Sequence, residues 1–194
     1  MMQAPKRLSI KFFANNPEVV EAEAFVPIFQ EWIQRDVIKD ELLVDVVDYK
    51  HVHHGPGIIL IGYESDYAYD FVYGRAGLQY TIKQNESETL EDTLTLALAR
   101  LLHAKDILQA EANANNLTLA SNEFQISILD RLNYSQTQDT VEALQETLNA
   151  HFKNSSNETV SIELTEDSPQ QSAILVSVRG FNLQVTQEKI QQAV

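Results

Sequence analysis

Cysteine is missing from the 194-residue chain, which removes disulfides, Cys-ligated zinc and thiol nucleophiles from consideration. No apolar run approaches the roughly 20 residues of a membrane-spanning helix. The N-terminal stretch MMQAPKRLSIKFFANN has basic residues but lacks the apolar core of a signal peptide. A cytoplasmic protein is expected, and in that setting the sequons at Asn116 and Asn157 carry no meaning for glycosylation. Basic residues are scarce: 14 Lys and Arg stand against 28 Asp and Glu, for a net charge of −14. The imbalance runs through both parts, with 18 acids and 10 bases in residues 1–117 and 10 and 4 beyond. An acidic body without a basic stripe is repelled by phosphate backbones and anionic membranes, so neither nucleic acid nor membrane is expected as a partner.

Exacting motifs are lacking too. No Ser sits in a Gly-x-Ser-x-Gly elbow, His-Glu-x-x-His does not occur, and no glycine-rich turn opens a helix as phosphate binding requires. No cofactor is therefore named. The apolar fraction, 44%, is that of a folded globular chain, long enough for one substantial core or two small ones.

Hydrophobic periodicity gives an α+β fold. Leu8, Ile10 and Phe12 alternate with Ser9, Lys11 and Phe13 in a first strand, closed by Asn15-Asn16-Pro17. A helix over about 19–35 follows, with Ala22, Phe25, Phe29, Trp32 and Ile33 on its core face. Pro27 within it predicts a kink or a true start near Val26. Leu42–Asp48 and Ile58–Tyr63 read as strands, the second apolar on both faces and so central in its sheet. Asp66–Tyr73 alternates Tyr67, Tyr69, Phe71 and Tyr73 against Ala68, Asp70 and Val72, and Gly74-Arg75-Ala76-Gly77 turns it back into Leu78–Lys83 as an aromatic hairpin. The longest helix, about 88–112, opens after Ser87 and carries Leu90, Leu94, Ala97, Leu101, Ala104 and Leu108. The polar tract 113–116 marks a boundary between subdomains 1–115 and 116–194. Beyond it come a strand Phe124–Leu129, a helix Thr140–Phe152, strands Val160–Leu164 and Ala173–Val178, and a short terminal segment, Val185–Val194. The first four of these lie about 115 positions after their counterparts near Leu8, Val20, Leu42 and Ile58. The chain thus reads as two pseudo-repeated β-α-β-β units with an inserted aromatic hairpin and one long helix.

The densest group of chemically capable side chains joins the second and third strands: Asp48, Tyr49, Lys50, His51, His53 and His54, then Gly55-Pro56-Gly57. In extended backbone His51 and His53 project to one side with Cα atoms roughly 6.5 Å apart, a spacing that suits two metal-bound imidazoles completed by one further His or carboxylate. The alternative is a polar loop whose imidazoles bond to Asp48 or to backbone. The glycines permit an anion nest with Lys50 or Arg75 nearby, or a rigid strand-to-strand connection. A histidine beside Asp48 or Asp70 can act as a general base.

Lys11-Phe12-Phe13, Phe25-Val26-Pro27-Ile28-Phe29 with Trp32-Ile33-Gln34, Asp48-Tyr49-x-His51-Val52-x-x-Gly55-Pro56-Gly57 and Tyr67-Ala68-x-Asp70 together resemble a pattern in a family of uncharacterised bacterial proteins, some from photosynthetic bacteria. The resemblance covers residues 8–83 and brings no activity with it. It implies that Asp48, Tyr49, His51, Gly55, Pro56 and Gly57 belong together, and it favours His51 with Asp48 as the working pair. The expected function is binding of a partner or small ligand at the 48–57 loop through Tyr49, His51, Gly55, Gly57 and Arg75, in a homodimer formed through the hairpin Tyr67–Tyr73. The alternative is a metal-dependent or acid–base hydrolase-type enzyme using His51, Asp48 and Asp70.

Overall fold

The computed structural model describes residues 2–52, 55–153, 161–165 and 174–180. Its strands are β1 (Leu8–Ala14), β2 (Leu43–Asp48), β3 (Ile58–Gly62), β4 (Ser65–Asp70), β5 (Gly77–Ile82), β6 (Leu119–Ile128), β7 (Ser161–Thr165) and β8 (Ile174–Arg179). The helices are α1 (Phe25–Gln34), α2 (Leu90–Ala110) and α3 (Gln138–Lys153). The fold is α+β. All eight strands join one sheet in the order β2-β3-β4-β5-β1-β6-β8-β7, with every neighbouring pair antiparallel.

The two parts of the chain meet through the β1–β6 ladder, which runs from Leu8 opposite Ile128 to Ala14 opposite Leu119. On each side of that seam the last strand of the unit lies inside the one before it, β3 inside β2 and β8 inside β7. The hairpin β4–β5 is inserted in space as in sequence, between β3 and β1. Its presence also means that β5, and not β3, holds the place beside β1 that β8 holds beside β6. The terminal segment 185–194 lies outside the described residues.

Register places Val46, Leu60, Tyr67, Tyr80, Ile10, Ile126 and Val176 in one row across the sheet, and the helices cover that face. Phe25 of α1 stacks on Tyr69, with centroids 3.9 Å apart, and Trp32 meets Tyr67 edge-on. Phe152 of α3 meets Phe124 in the same way. Trp32 Nε1 donates to Glu111 Oε1 at 3.2 Å, which ties α1 to the end of α2. Each such ring, fully buried, contributes about 1.5–3 kcal/mol. Tyr67 and Tyr69 are wholly buried here, so they offer nothing to a second copy of the chain.

α1 begins at Phe25, which is the late start near Val26 that Pro27 allowed, behind 3-10 turns at Pro17–Val19 and Ala22–Ala24; Pro27 falls in its first turn, where an N–H has no intrahelical acceptor anyway. Two other element ends differ from the expected ones. β4 stops at Asp70 because its own carboxylate accepts the Val72 N–H at 3.2 Å, turning the chain into the 3-10 turn Val72–Gly74. α2 is capped by Thr89, whose hydroxyl accepts the Asp92 N–H at 3.1 Å, so Ser87 stands ahead of the cap.

Candidate functional site

The β2–β3 hairpin has a tip, residues 49–57, and a base, where residues 40–42 meet 62–64. The tip closes on itself: Tyr49 N–H donates to the Gly57 carbonyl at 2.7 Å, Val52 N–H to Tyr49 at 2.9 Å, and Gly55 N–H to Val52 at 2.8 Å. Asp48 Oδ1 accepts the Lys50 N–H at 2.9 Å, and Lys50 Nζ pairs with Glu23. The bond from Lys50 holds the Glu23 carboxyl below its usual range and raises the lysine in turn. Tyr49, His51 and Val52 are exposed, and the side chain of His51 faces solvent. His53 and His54 lie outside the described residues. Among the described residues no group of three or more His, Asp or Glu is placed to hold a metal ion.

The glycines of the tip are structural. Gly57 has φ +71°, and a Cβ there would stand 2.2 Å from the Tyr69 carbonyl oxygen. A Cβ at Gly55 would stand 2.8 Å from Val52. Both carry the rigid strand-to-strand connection.

The trio His51, Asp48 and Asp70 is not assembled. Asp48 lies opposite Ile58 and Ile58 opposite Tyr69, so Asp48 shares the helix-covered face, whereas Asp70, one residue after Tyr69, points through the other. There Asp70 Oδ2 pairs with Lys11 Nζ at 2.5 Å, with each side chain only 2% exposed. Lys11 Nζ also donates to the Val72 carbonyl at 3.1 Å, while Asp70 Oδ1 has no hydrogen-bond partner. Burial lowers Lys11, against the pull of Asp70, and raises Asp70, against the pull of Lys11. Arg75 is likewise occupied. Its guanidinium lies 3.5 Å from the Phe13 ring centroid and grips Glu123 with two bonds of 2.9 and 3.1 Å.

The base of the hairpin is different. A cleft of about 650 Å³ opens there, lined by Asp40, Glu41, Tyr63, Glu64, Tyr80, Ile82, Gln84, Glu86, Ser87, Leu96 and Arg100, and by no residue of 48–57. Its size is that of a small-molecule site. Glu41, with a side chain 5% exposed, is the hub. It accepts from Tyr80 Oη at 3.0 Å and from Ser65 Oγ, and it forms an ion pair with Arg100, whose Nε lies 3.3 Å away, while Arg100 Nη1 donates to Asp40 at 3.2 Å. Tyr67 is wholly buried, and its phenol feels the charges of Glu41 and Arg100. Burial, reinforced by Glu41, raises both Tyr67 and Tyr80 far above the ordinary phenol, so both are neutral. Burial works to lower Arg100, but Glu41 and Asp40 outweigh it and raise the guanidinium.

None of Glu41, Ser65, Tyr80 or Arg100 stood out in the sequence. They come from the α1–β2 connection, β4, β5 and α2, and only the folded sheet brings them together. Lys11 did carry a signal, since a lysine followed by two phenylalanines in a strand needs a buried partner. Comparison of the chain with protein-family models, with curated proteins and with solved structures gave no match.

Proposed function

We propose that the chain is a binding protein that receives a segment of another protein along β2 and the adjoining tip loop. One observation carries this reading. Of the eight exposed large hydrophobic side chains among the described residues, five lie between positions 42 and 63: Leu42 (65% exposed), Val44 (57%), Tyr49, Val52 and Tyr63 (59%). Val44 lies within the outermost strand, Leu42 and Tyr49 flank its two ends, and the strand itself spans roughly 20 Å, six residues at about 3.3 Å each. The resemblance of residues 8–83 to the bacterial pattern supports the grouping of Tyr49 and His51 with this surface.

The edge favours recognition by side chains over simple strand addition. The register shifts between Leu43 and Asp45, and Asp45 Oδ1 caps the Val46 N–H at 2.8 Å, which blunts the strand against free pairing. The rim is acidic, with Asp40, Asp45, Asp48 and Glu64 along it. A second copy of a chain of net charge −14 would set like charges against each other, so the occupant is a different chain, apolar and basic in alternation.

Selection from a displayed library of extended peptides, followed by affinity measurement, tests this. The expected binders combine Lys or Arg with apolar residues, weaken with salt, and lose at least tenfold in affinity with the exposed pair Val44→Asp and Val52→Asp. Binders indifferent to that pair, or no binders at all, would remove the reading. Sedimentation should show a monomer.

A further inference from the structure

We propose that Lys11 and Asp70 are positioning residues for the partner surface: through the turn after β4 they fix the tip of the β2–β3 hairpin in the shape that a partner meets. The inference rests on the reading of that surface as one that receives a peptide.

Stability does not explain the pair. Both side chains are only 2% exposed, and Asp70 Oδ1 is left without a hydrogen-bond partner. Removing two charges from water costs about as much as their attraction returns, and well-packed apolar residues of similar volume commonly do as well or better. What the charges add is direction. Lys11 Nζ donates to the Val72 carbonyl at 3.1 Å, and the Asp70 oxygen that it grips accepts the Val72 N–H at 3.2 Å. One ion pair thus holds both backbone groups of one residue, the first of the 3-10 turn Val72–Gly74. Lys11 reaches across a whole strand to do so. It lies on β1 and Asp70 on β4, and β5 between them places Gly77 opposite Asp70, where a Cβ would come within 3.1 Å of Lys11 Cε.

Phe71 carries the constraint to the tip. It stands between Asp70 and Val72, so its backbone is fixed from both sides. Its ring meets Tyr69 edge-on, with centroids 5.1 Å apart, and lies against Gly57, where a Cβ would stand 2.7 Å from Phe71 Cδ2. The Gly57 carbonyl accepts the Tyr49 N–H at 2.7 Å, and Tyr49 and Val52 belong to the exposed apolar group. Every step from Lys11 to Tyr49 is a direct contact. A surface shaped in advance loses less conformational freedom when its partner arrives, and binds more tightly for it.

The variant Lys11→Met with Asp70→Leu, which keeps the site packed but removes the directed bonds, tests this by two measurements. Hydrogen exchange at the Tyr49 and Gly55 N–H groups, whose bonds close the tip, should quicken about tenfold, while the Tyr63 N–H, bonded to Leu42 at the hairpin base, keeps its native rate. Affinity for peptides selected on the native chain should fall about tenfold at a near-native melting temperature. Phe71→Ala, which leaves the ion pair in place, should quicken exchange at the same two amides. Unchanged exchange at Tyr49 and Gly55 in both variants would overturn the link from the pair to the tip, whether or not a peptide is found. Equal quickening at Tyr63 would also overturn it, since the whole hairpin would then have loosened. Faster exchange at the tip with unaltered peptide affinity would overturn the role in recognition. Failure to select any peptide removes the surface reading, and the exchange rates still decide the link.

Discussion

The two ends of the β2–β3 hairpin present opposite cases. The tip holds the chemically richest run in the sequence, yet its backbone hydrogen bonds turn inward on the loop and His51 faces solvent. The base holds residues unremarkable in sequence, yet they converge on a nearly buried carboxylate within a cleft. Clustering along the chain and clustering in space are separate properties. A loop brings neighbours in sequence close while leaving them on the surface. A sheet with a helix layer brings distant residues together and also excludes water from them.

The sharpest way to break this contrast is through Asp70. If it belongs to the scaffold under the tip, Asp70→Ala leaves Lys11 buried without its counter-charge and costs about 3–5 kcal/mol, read as a shift in denaturant midpoint. Replacing both residues by apolar ones, Lys11→Met with Asp70→Leu, should restore most of that loss. A destabilisation under 1 kcal/mol for the single variant, well below the range for a broken buried pair, would return Asp70 to the list of site residues.

Next in size is Gly57→Ala. The positive φ and the Tyr69 carbonyl 2.2 Å from the added Cβ predict a loss of about 1–3 kcal/mol, against a small effect for an alanine in an unstrained loop. Gly57→Ala at native stability would mean that the tip is loose and free to rearrange around a ligand. The smallest effect belongs to His51→Ala, expected within about 0.5 kcal/mol of native stability because the side chain is exposed. Its binding of selected peptides should fall by less than threefold, roughly 0.6 kcal/mol, an interaction of surface strength. A tenfold loss would place His51 at the centre of the partner surface and move the tip from frame to contact.

Much of the scaffold was legible. The period-two runs at Leu8–Phe12 and Phe124–Ile128 gave strands, and their apolar positions are the ones under the helices, because alternation fixes which residues share a face whatever the partner strand. The Phe25, Phe29 and Trp32 stripe gave the core face of α1 for the same local reason. Less legible were element ends, where one side chain decides: the Asp70 carboxylate ended β4 through a bond two residues on, and Thr89 displaced Ser87 as the cap of α2. The candidate site was legible only as a list of residue types. The alternation that would have separated Asp48 from Asp70 needed the register of β2, β3 and β4 together.

By itself, then, the sequence determined what depends on near neighbours: the α+β composition, the faces of strands and helices, the acidic surface and the absence of thiol chemistry. Tertiary structure alone decided what depends on pairing between distant segments. It joined the two parts in one sheet through Leu8–Ala14 and Leu119–Ile128, set Lys11 against Asp70 across 59 positions, and closed Ser65, Tyr80 and Arg100 around Glu41. The reason is physical. Strand order and register are chosen by the burial of whole faces and the satisfaction of every buried polar group at once, a condition that no short window of the chain contains.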